Sequence, residues 1–283
     1  MKSSKVPSLI VMAVLGFLML SNCKKDQDPP RQGPEGYRIV KLKRYDNPLD
    51  SIVVTYNRKY NPVMMQRSEG IEIPPPTYYF RYNARDLLTD FFAVLPDAIT
   101  FSVWHRFTYD NLNRAVSDTF YEYGLVGNNG PVIPSTPSPT RSDSMHIRAI
   151  SSFQYDSKNR IIRELKRLPI DPYGYTIDYH YKYGPEGNRD SVLEYRYQDR
   201  YPHYADIYTY HYQYDNRGYS LESTHPVWRL LDRDYSTNFQ ALDPPVEYNA
   251  ARLPVKISTN AYDELFFGTE IYYNAVITYE RNN

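Results

Sequence analysis

The feature that most limits how this chain can fold is a short tyrosine motif that recurs along its length. Its consensus is a tyrosine, then Asp or Asn, two variable positions, and a fourth following residue that is often Asn or Gly. Successive tyrosines of the set lie 26 to 46 residues apart, which leaves room for one β-hairpin and its return connection. The clearest copies begin at Tyr56, Tyr109, Tyr155 and Tyr248, and weaker ones begin at Tyr82, Tyr183 and Tyr214. The motif therefore predicts a hairpin repeated about seven times.

The chemistry of the motif is that of a tight turn. The Asp or Asn side chain accepts hydrogen bonds from turn amides, and Asn or Gly tolerates the positive φ that closes a short hairpin. The residues that meet this requirement four places after the tyrosine are Asn113, Asn159, Gly187 and Gly218. Those that stand there without meeting it are Tyr60, Asp86 and Arg252. The sequence predicts looser turns at this second group.

Between the turns, tyrosines alternate with polar residues, as strands with one buried face require. The alternation is clearest over residues 175–183 and 208–214, and no long segment has helical periodicity. The prediction is an all-β fold, a large antiparallel meander of about 14–16 strands forming a closed or partly open barrel-like sheet. Two stretches, 68–77 and 124–144, are rich in proline or in Pro, Ser and Thr, and are predicted to be mobile surface loops.

Composition supports a single domain and limits the partners. Tyrosine accounts for 31 of the 283 residues; its ring supplies buried area in strands while its hydroxyl needs a polar partner. Composition is uniform over residues 37–283, which are predicted to form one tyrosine-rich β domain. The 33 basic residues balance the 33 acidic ones, and loss of residues 1–22 with Lys2 and Lys5 leaves 31 against 33. So neutral a chain is not expected to bind nucleic acid.

The N-terminus has the pattern of a bacterial lipoprotein signal peptide. Lys2 and Lys5 supply positive charge, and residues 9–20 form an apolar run too short to span a bilayer as a helix. The segment 20–23, Leu-Ser-Asn-Cys, resembles a lipobox, with Asn in place of the usual Gly or Ala. The pattern predicts a signal peptide over 1–22 and lipidation of Cys23, the only cysteine in the chain. The alternative is an ordinary thiol beside a conventional cleavage site.

A lipid on Cys23 makes the membrane the predicted partner of this protein. Diacylglycerol on the sulfur together with an acyl chain on the N-terminus would anchor the protein stably in the membrane, because a single acyl chain binds a membrane only weakly. Residues 23–36 are polar and rich in Pro and Gly, which predicts a flexible tether. The predicted location is the outer membrane, with the domain at the cell surface or, alternatively, on the periplasmic face.

The repeat also resembles known families. A Tyr-Asp turn followed by Asn and Arg, as at 109–114 and 155–160, resembles the YD repeats of Rhs-type and teneurin shells. Together with the lipobox it resembles the Bacteroidota lipoproteins of unknown function described as having a porin-like fold. This second resemblance implies a large antiparallel sheet or barrel and no assigned activity. The spacing is longer and less regular than in Rhs shells, so toxin encapsulation is not expected.

The motifs of catalysis and cofactor binding are missing from the sequence. The six histidines show no metal-binding spacing, and neither a nucleophile elbow nor a phosphate loop is present. We therefore expect no cofactor, no metal and no enzymatic activity, and a binding or structural role in the cell envelope. The alternatives left open are a glycan-processing enzyme with a carboxylate pair formed in the fold, and an outer-membrane pore.

One candidate site remains, an aromatic face formed by the alternating tyrosines. Exposed rings there would stack on sugars or on an envelope protein while their hydroxyls form hydrogen bonds. The alternative is that these rings form the core between layers of sheet. The candidate residues are Tyr175, Tyr179, Tyr181, Tyr183, Tyr208, Tyr210, Tyr212 and Tyr214.

Overall fold

The structure is a computed structural model that describes residues 34–45, 47, 49–68, 75–126, 147–169, 174–198, 201, 206–242, 244–258 and 274–282. The predicted signal peptide, Cys23 and residues 23–33 of the predicted tether lie outside the described residues. Most of the two predicted loops, residues 69–74 and 127–146, lies outside them as well. Within the described part, no helix is long and apolar enough to cross a membrane.

The described chain folds into seventeen strands and one short α-helix. The first nine strands are β1 (Tyr37–Arg44), β2 (Ser51–Tyr56), β3 (Pro62–Arg67), β4 (Thr77–Tyr82), β5 (Leu88–Val94), β6 (Thr100–Tyr109), β7 (Ala115–Leu125), β8 (Ile147–Tyr155) and β9 (Ile161–Leu168). The others are β10 (Tyr175–Tyr183), β11 (Arg189–Gln198), β12 (Asp206–His211), β13 (Tyr214–Tyr219), β14 (Asn238–Gln240), β15 (Glu247–Tyr248), β16 (Pro254–Ser258) and β17 (Asn274–Arg281). Helix α1 covers Pro226–Asp232, and 3-10 turns cover Pro34–Gly36 and Glu222–Thr224.

Fifteen of these strands form one antiparallel sheet. Strands β1 to β12 lie side by side in chain order, and β17, β16 and β15 continue the sheet beyond β1. The remaining two, β13 and β14, pair with each other. The predicted all-β fold with a large antiparallel meander is confirmed. The two edge strands, β12 and β15, are not paired with each other, so the sheet is open.

The predicted turns form, and they are more uniform than the sequence suggests. In the turn after β2, the Asn57 side chain accepts hydrogen bonds from the amides of Lys59 and Asn61 at 2.9 and 3.1 Å. The same two bonds recur at Asn83, Asp110, Asp156 and Asn249. The prediction of looser turns at Tyr60, Asp86 and Arg252 is wrong: their φ angles of 63°, 60° and 62° match the 62° of Asn113. The side-chain bonds fix the turn and impose positive φ on whichever residue stands there.

The copy at Tyr214 does not form a turn. Its Gly218 lies inside β13, which bulges against β14, and its φ is not positive. Glycine is needed there for a different reason. A Cβ atom on Gly218 would lie 1.7 Å from Cε1 of Tyr248, so any larger residue would displace that ring. The predicted hairpin at this copy is therefore replaced by a close contact between backbone and ring.

The motif tyrosines connect neighbouring hairpins through a ladder of hydroxyl bonds. The hydroxyls of five motif tyrosines, and that of Tyr279, each donate to a backbone carbonyl two residues beyond the last paired residue of the adjacent strand, where strand pairing has ended. The motif tyrosine Tyr248 donates instead to the Asp215 carboxylate. The Tyr109 hydroxyl, for example, donates to the Leu88 carbonyl at 2.7 Å, and pairing of β5 with β6 begins at Asp90. We call this set the tyrosine ladder: Tyr56, Tyr82, Tyr109, Tyr155, Tyr214 and Tyr279.

The arginine of the motif adds a second link between hairpins. Arg114 forms an ion pair with Asp110 of its own turn at 2.8 Å, and its guanidinium lies 5.2 Å from the ring centre of Tyr155 in the next copy. Arg160 repeats this with Asp156 at 2.6 Å and with the ring of Tyr183 at 4.2 Å. The charged pair thus orients the arginine for a cation–π contact along the sheet.

The segment that contains α1 fills the inner face of the sheet. It contacts β1, its Trp228 ring lies 5.6 Å from that of Phe80 on β4, and its Asp234 forms an ion pair with Arg189 on β11 at 3.1 Å. A flat sheet would separate β1 from β11 by about 50 Å at about 4.8 Å per strand. Residues 222–234, which make these contacts, include a 3-10 turn and seven helical residues and span at most about 30 Å. The sheet therefore curls around this segment, and its inner face is concave.

Candidate binding surface

The eight candidate tyrosines divide into a structural group and an accessible group. Tyr181 is buried, and Tyr183 and Tyr212 pack against the core around α1. Tyr214 belongs to the tyrosine ladder and accepts a hydrogen bond from Ser236 at 3.0 Å. These four rings serve the core, as the alternative interpretation of the sequence had it. The rings that keep an accessible part are Tyr175, Tyr179, Tyr208 and Tyr210, which we call the tyrosine platform; of these, Tyr179 also packs against the core.

Strand register places the platform on the concave face. Tyr179 of β10 pairs with Glu194 of β11, which in turn pairs with Tyr208 of β12, so the three side chains share one face. Tyr210 lies in the next row, beyond the buried Tyr181. Tyr208 and Tyr210 are 42% and 41% exposed, and the other two platform residues are half-buried. The platform thus covers the outer part of the concave face, beside the edge of the sheet.

A charged pair occupies the centre of the platform. The Arg196 guanidinium donates a short hydrogen bond to the Glu194 carboxylate and lies 4.8 Å from the ring centre of Tyr208. The Tyr210 hydroxyl is hydrogen-bonded to the Glu194 carboxylate. Burial, the Glu194 charge and this hydrogen bond raise the pKa of Tyr210. Glu194 is itself buried at 3% exposure. Aromatic rings thus flank a fixed donor–acceptor pair, an arrangement suited to a flat ligand that carries hydroxyl groups.

Next to the platform lies a cavity of about 300 Å³, which we call the Asp118 cavity. Tyr179 belongs to the platform and also lines this cavity, so the cavity and the platform are contiguous. Phe91, Phe120 and Leu231 are among its apolar walls. Its polar lining consists of His105, Asp118, Ser151, Glu164, Lys166, Tyr179, Tyr181 and Arg233.

Asp118 is the most constrained group of this cavity. Its Oδ2 receives hydrogen bonds from His105 Nδ1 at 2.9 Å and from Arg233 Nη2 at 2.6 Å, and the residue is 3% exposed. Burial alone would raise its pKa, but the charges and hydrogen bonds of His105 and Arg233 outweigh burial and hold the pKa below its usual value. Its other oxygen, Oδ1, is buried and has no hydrogen-bond partner among the described residues. A buried carboxylate oxygen of this kind calls for a donor, from water or from a ligand.

Arg233 and Tyr181 hold a second carboxylate, Glu164, beside the first. The Tyr181 hydroxyl donates to Glu164 Oε2 at 3.0 Å, and Arg233 Nε lies 3.5 Å from the same oxygen. Arg233 follows α1 in a left-handed conformation with φ of 54°, which turns its guanidinium to the sheet. Burial raises the pKa of Tyr181, and the Glu164 charge raises it further. The cavity is therefore rich in hydrogen-bond acceptors, with one arginine shared between two carboxylates.

A larger cavity of about 810 Å³ lies between the hairpin turns and α1. Its histidine, His225, is the N-cap of α1: Nδ1 accepts a hydrogen bond from the Val227 amide at 3.2 Å. Burial lowers the pKa of His225 to about 4, so this residue is neutral near pH 7. Among the described residues, no group of three or more His, Cys, Asp or Glu side chains is placed to hold a metal ion.

Sequence reasoning missed the Asp118 cavity. Asp118, Glu164 and Arg233 come from β7, β9 and the residue after α1, and Asp118 and Arg233 are 115 positions apart. The available signal was weak: a single acidic residue at an inward-facing position of β9, and Asp118 at such a position of β7. It became informative only once the curled sheet brought α1 against those strands.

Comparison with known proteins gives a likeness at the level of the fold alone. No protein-family model and no curated protein matches the chain. The crystal structure of TcdB2-TccC3-TEV is similar at 14% identity and a TM-score of 0.31 over 75% of this chain. The crystal structure of TcdB2-TccC3 is similar at 12% identity and a TM-score of 0.25 over 76%. The chain spans only 10% and 13% of the length of those chains.

Proposed function

We propose that this protein is a lipid-anchored binding protein of the cell envelope whose tyrosine platform binds glycans. The observation that carries the proposal is the grouping of four accessible tyrosines around the Glu194–Arg196 pair, beside the Asp118 cavity. The other four candidate tyrosines are used by the core and the ladder, whereas Tyr175, Tyr208 and Tyr210 lie outside the core and Tyr179 is half-buried where the platform meets it.

Sugar chemistry matches this surface better than the chemistry of an ionic ligand. The apolar faces of sugar rings stack on tyrosines, and sugar hydroxyls both donate and accept hydrogen bonds. Arg196, whose side chain is 38% exposed, offers hydrogen-bond donors at the platform and is held in place by the buried Glu194. Asp118 Oδ1 offers an unused acceptor inside the cavity, which a hydroxyl donor would satisfy. The charges of these groups nearly cancel, which suits a neutral ligand.

The anchor and the family belong to the same proposal. The lipobox at residues 20–23 supports lipidation of Cys23 and attachment to the outer membrane. The Tyr-Asp turns support kinship with YD-repeat proteins, and the two features together support membership of the Bacteroidota lipoproteins with a porin-like fold. Such an anchor would hold a glycan-binding surface at the envelope, at the cell surface or on the periplasmic face.

Binding of the full chain, purified in detergent, to a panel of soluble envelope and host glycans tests the platform. Truncation of one stacked ring costs about 1–3 kcal/mol, so Tyr208→Ala and Tyr210→Ala should each weaken binding about tenfold or more in calorimetry. Tyr45→Ala is the matched control, because Tyr45 is 59% exposed and lies far along the sheet. The proposal fails if no glycan binds, or if all three variants bind like the native chain.

A further inference from the structure

Among the described strands, β12 is an open edge of the large sheet. It pairs with β11 on one side, and all six of its residues are exposed. The opposite edge, β15, is only two residues long. An edge strand carries a row of unpaired amides and carbonyls, so a six-residue edge can pair with another strand.

The composition of β12 does not protect this edge. Natural edge strands are blunted by lysine, by proline, by bulges or by a covering element. β12 has neither lysine nor proline, and its only charged residue among Asp206–His211 is Asp206 at one end, with His211 at the other. Its middle carries Ile207 at 59% exposure, together with Tyr208 and Tyr210 at 42% and 41%. These features are those of an interface, not of a solvated strand.

We propose that β12 pairs antiparallel with β12 of a second copy of this chain. The lengths of the two edge strands favour a second copy of the chain as the partner of β12. Head-to-tail association would need β12 of one copy to pair with β15 of the next, and two residues give that pairing almost no hydrogen bonds. Pairing of β12 with β12 of a second copy uses the long edge of both copies and gives a closed dimer, because no long edge is left to bind a third copy. It also places the Asp206 end of each strand beside the His211 end of the other.

The geometry of this pairing joins the two binding surfaces. An antiparallel pair related by a two-fold axis perpendicular to the sheet keeps both inner faces on the same side. Tyr208 and Tyr210 of both copies then meet at the junction, so each copy extends the platform of the other. The merging of platforms rests on the proposed glycan binding, whereas the dimer itself does not.

The dimer is expected to be in exchange with the monomer. Six paired residues bury less than the roughly 1,200 Å² of a standard stable interface, so dissociation in the micromolar range is expected in detergent solution. Two copies anchored in one membrane would meet at a higher effective concentration. A weak edge contact therefore suffices for an anchored protein.

Sedimentation velocity of the full chain in density-matched detergent, over a range of micromolar concentrations, tests the dimer. The native chain should shift towards twice the protein mass as concentration rises. Ile207→Lys should weaken the dimer at least tenfold, since it places two lysines at the junction. Ile150→Lys is the matched control, because Ile150 is 40% exposed on the central strand β8. If the native chain stays monomeric at every concentration, the proposal is overturned, and an extended peptide of another protein becomes the expected partner of β12.

Cross-linking tests the pairing geometry independently. Thr209→Cys, in the middle of β12, should form a disulfide between copies under mild oxidation, and Ile150→Cys should not. A dimer that survives Ile207→Lys, or that cross-links equally at both positions, excludes pairing through β12. Ile207 faces away from the platform, since it pairs with Tyr195. Ile207→Lys chains that bind glycan as monomers would therefore separate the two proposals.

Discussion

The tyrosine ladder makes a quantitative prediction about stability. Replacement of Tyr109 by Phe removes a 2.7 Å hydrogen bond to the Leu88 carbonyl and leaves the ring in place. Leu88 is 2% exposed and lies beyond the end of the pairing between β5 and β6, so its carbonyl would lose the partner that the hydroxyl supplies. A buried carbonyl left without a partner costs about 1–3 kcal/mol. Because Tyr109 is only partly buried and water can reach part of this site, we expect about 1–2 kcal/mol.

Urea unfolding at several temperatures measures this loss. The midpoint should fall without a change in the slope, because the surface exposed on unfolding stays the same. For a domain of this size, 1–2 kcal/mol corresponds to a decrease in Tm of about 2–8 °C. The control is Tyr45→Phe, which removes a hydroxyl from a ring that is 59% exposed.

The ladder interpretation also predicts additivity along the sheet. Tyr155→Phe, which removes the bond to the Ala115 carbonyl, should cost a similar amount. The double variant should lose the sum of the two, since the two hydroxyls share no partner. If Tyr109→Phe is as stable as Tyr45→Phe, the hydroxyls contribute nothing and only the rings hold neighbouring hairpins together.

Two further predictions concern a buried acid and the anchor. Burial and the neighbouring Asp234 charge raise the pKa of Glu222 from 4.5 to about 7. The folded chain therefore keeps a proton that the unfolded chain loses, and stability falls as pH rises from 4.5 to 7. Glu222→Gln should remove this loss and stabilise the protein by up to about 3 kcal/mol above pH 7, at about 1.4 kcal/mol per pKa unit, with little effect near pH 4 in urea unfolding. Cys23→Ser should move the protein from the membrane fraction to the soluble fraction of cells and abolish its labelling with palmitate.

Each of these two has a control. Glu186→Gln, on an exposed turn, should change stability equally little at both pH values. A gain for Glu222→Gln that is the same at pH 4 and pH 8 would show that charge is not its cause. For the anchor, a Cys23→Ser chain that remains in the membrane fraction contradicts lipidation at this residue, and retained cooperative unfolding would show that the fold is intact.

The sequence was informative where local chemistry decides the structure. The motif places turns correctly because Asn57 and its equivalents hold their turns by side-chain bonds within five residues. It misjudged Tyr60 and Arg252 because intrinsic preference for positive φ, worth about 1 kcal/mol, is smaller than what those bonds and the adjoining strands contribute. Tyr279 was missed as a member of the ladder because no turn follows it.

The sequence was uninformative where distant segments meet. Helix α1 is seven residues long, too short to show a helical period, yet its Trp228 fills the centre of the core. The alternation at residues 175–183 correctly gave strands, but it cannot tell which of the tyrosines the core will bury. That choice depends on where α1 sits: it covers Tyr181 and leaves Tyr179 at the rim.

The pairing of β1 with β17 has a consequence for how this protein folds. Tyr37 lies opposite Arg281, so β1, the fourth strand from the β15 edge of the sheet, gains one of its two neighbours from residues more than 200 positions later in the chain. Most hairpins from β2 to β11 have short loops and can form early, the long connections being those between β3 and β4 and between β7 and β8. The pairing of β1 with β17 must close a far longer loop. A nascent chain would therefore carry β1 with one side unpaired until β17, more than 200 residues later, has been synthesised. Closure of this part of the sheet is expected to be a slow, late event that depends on β17.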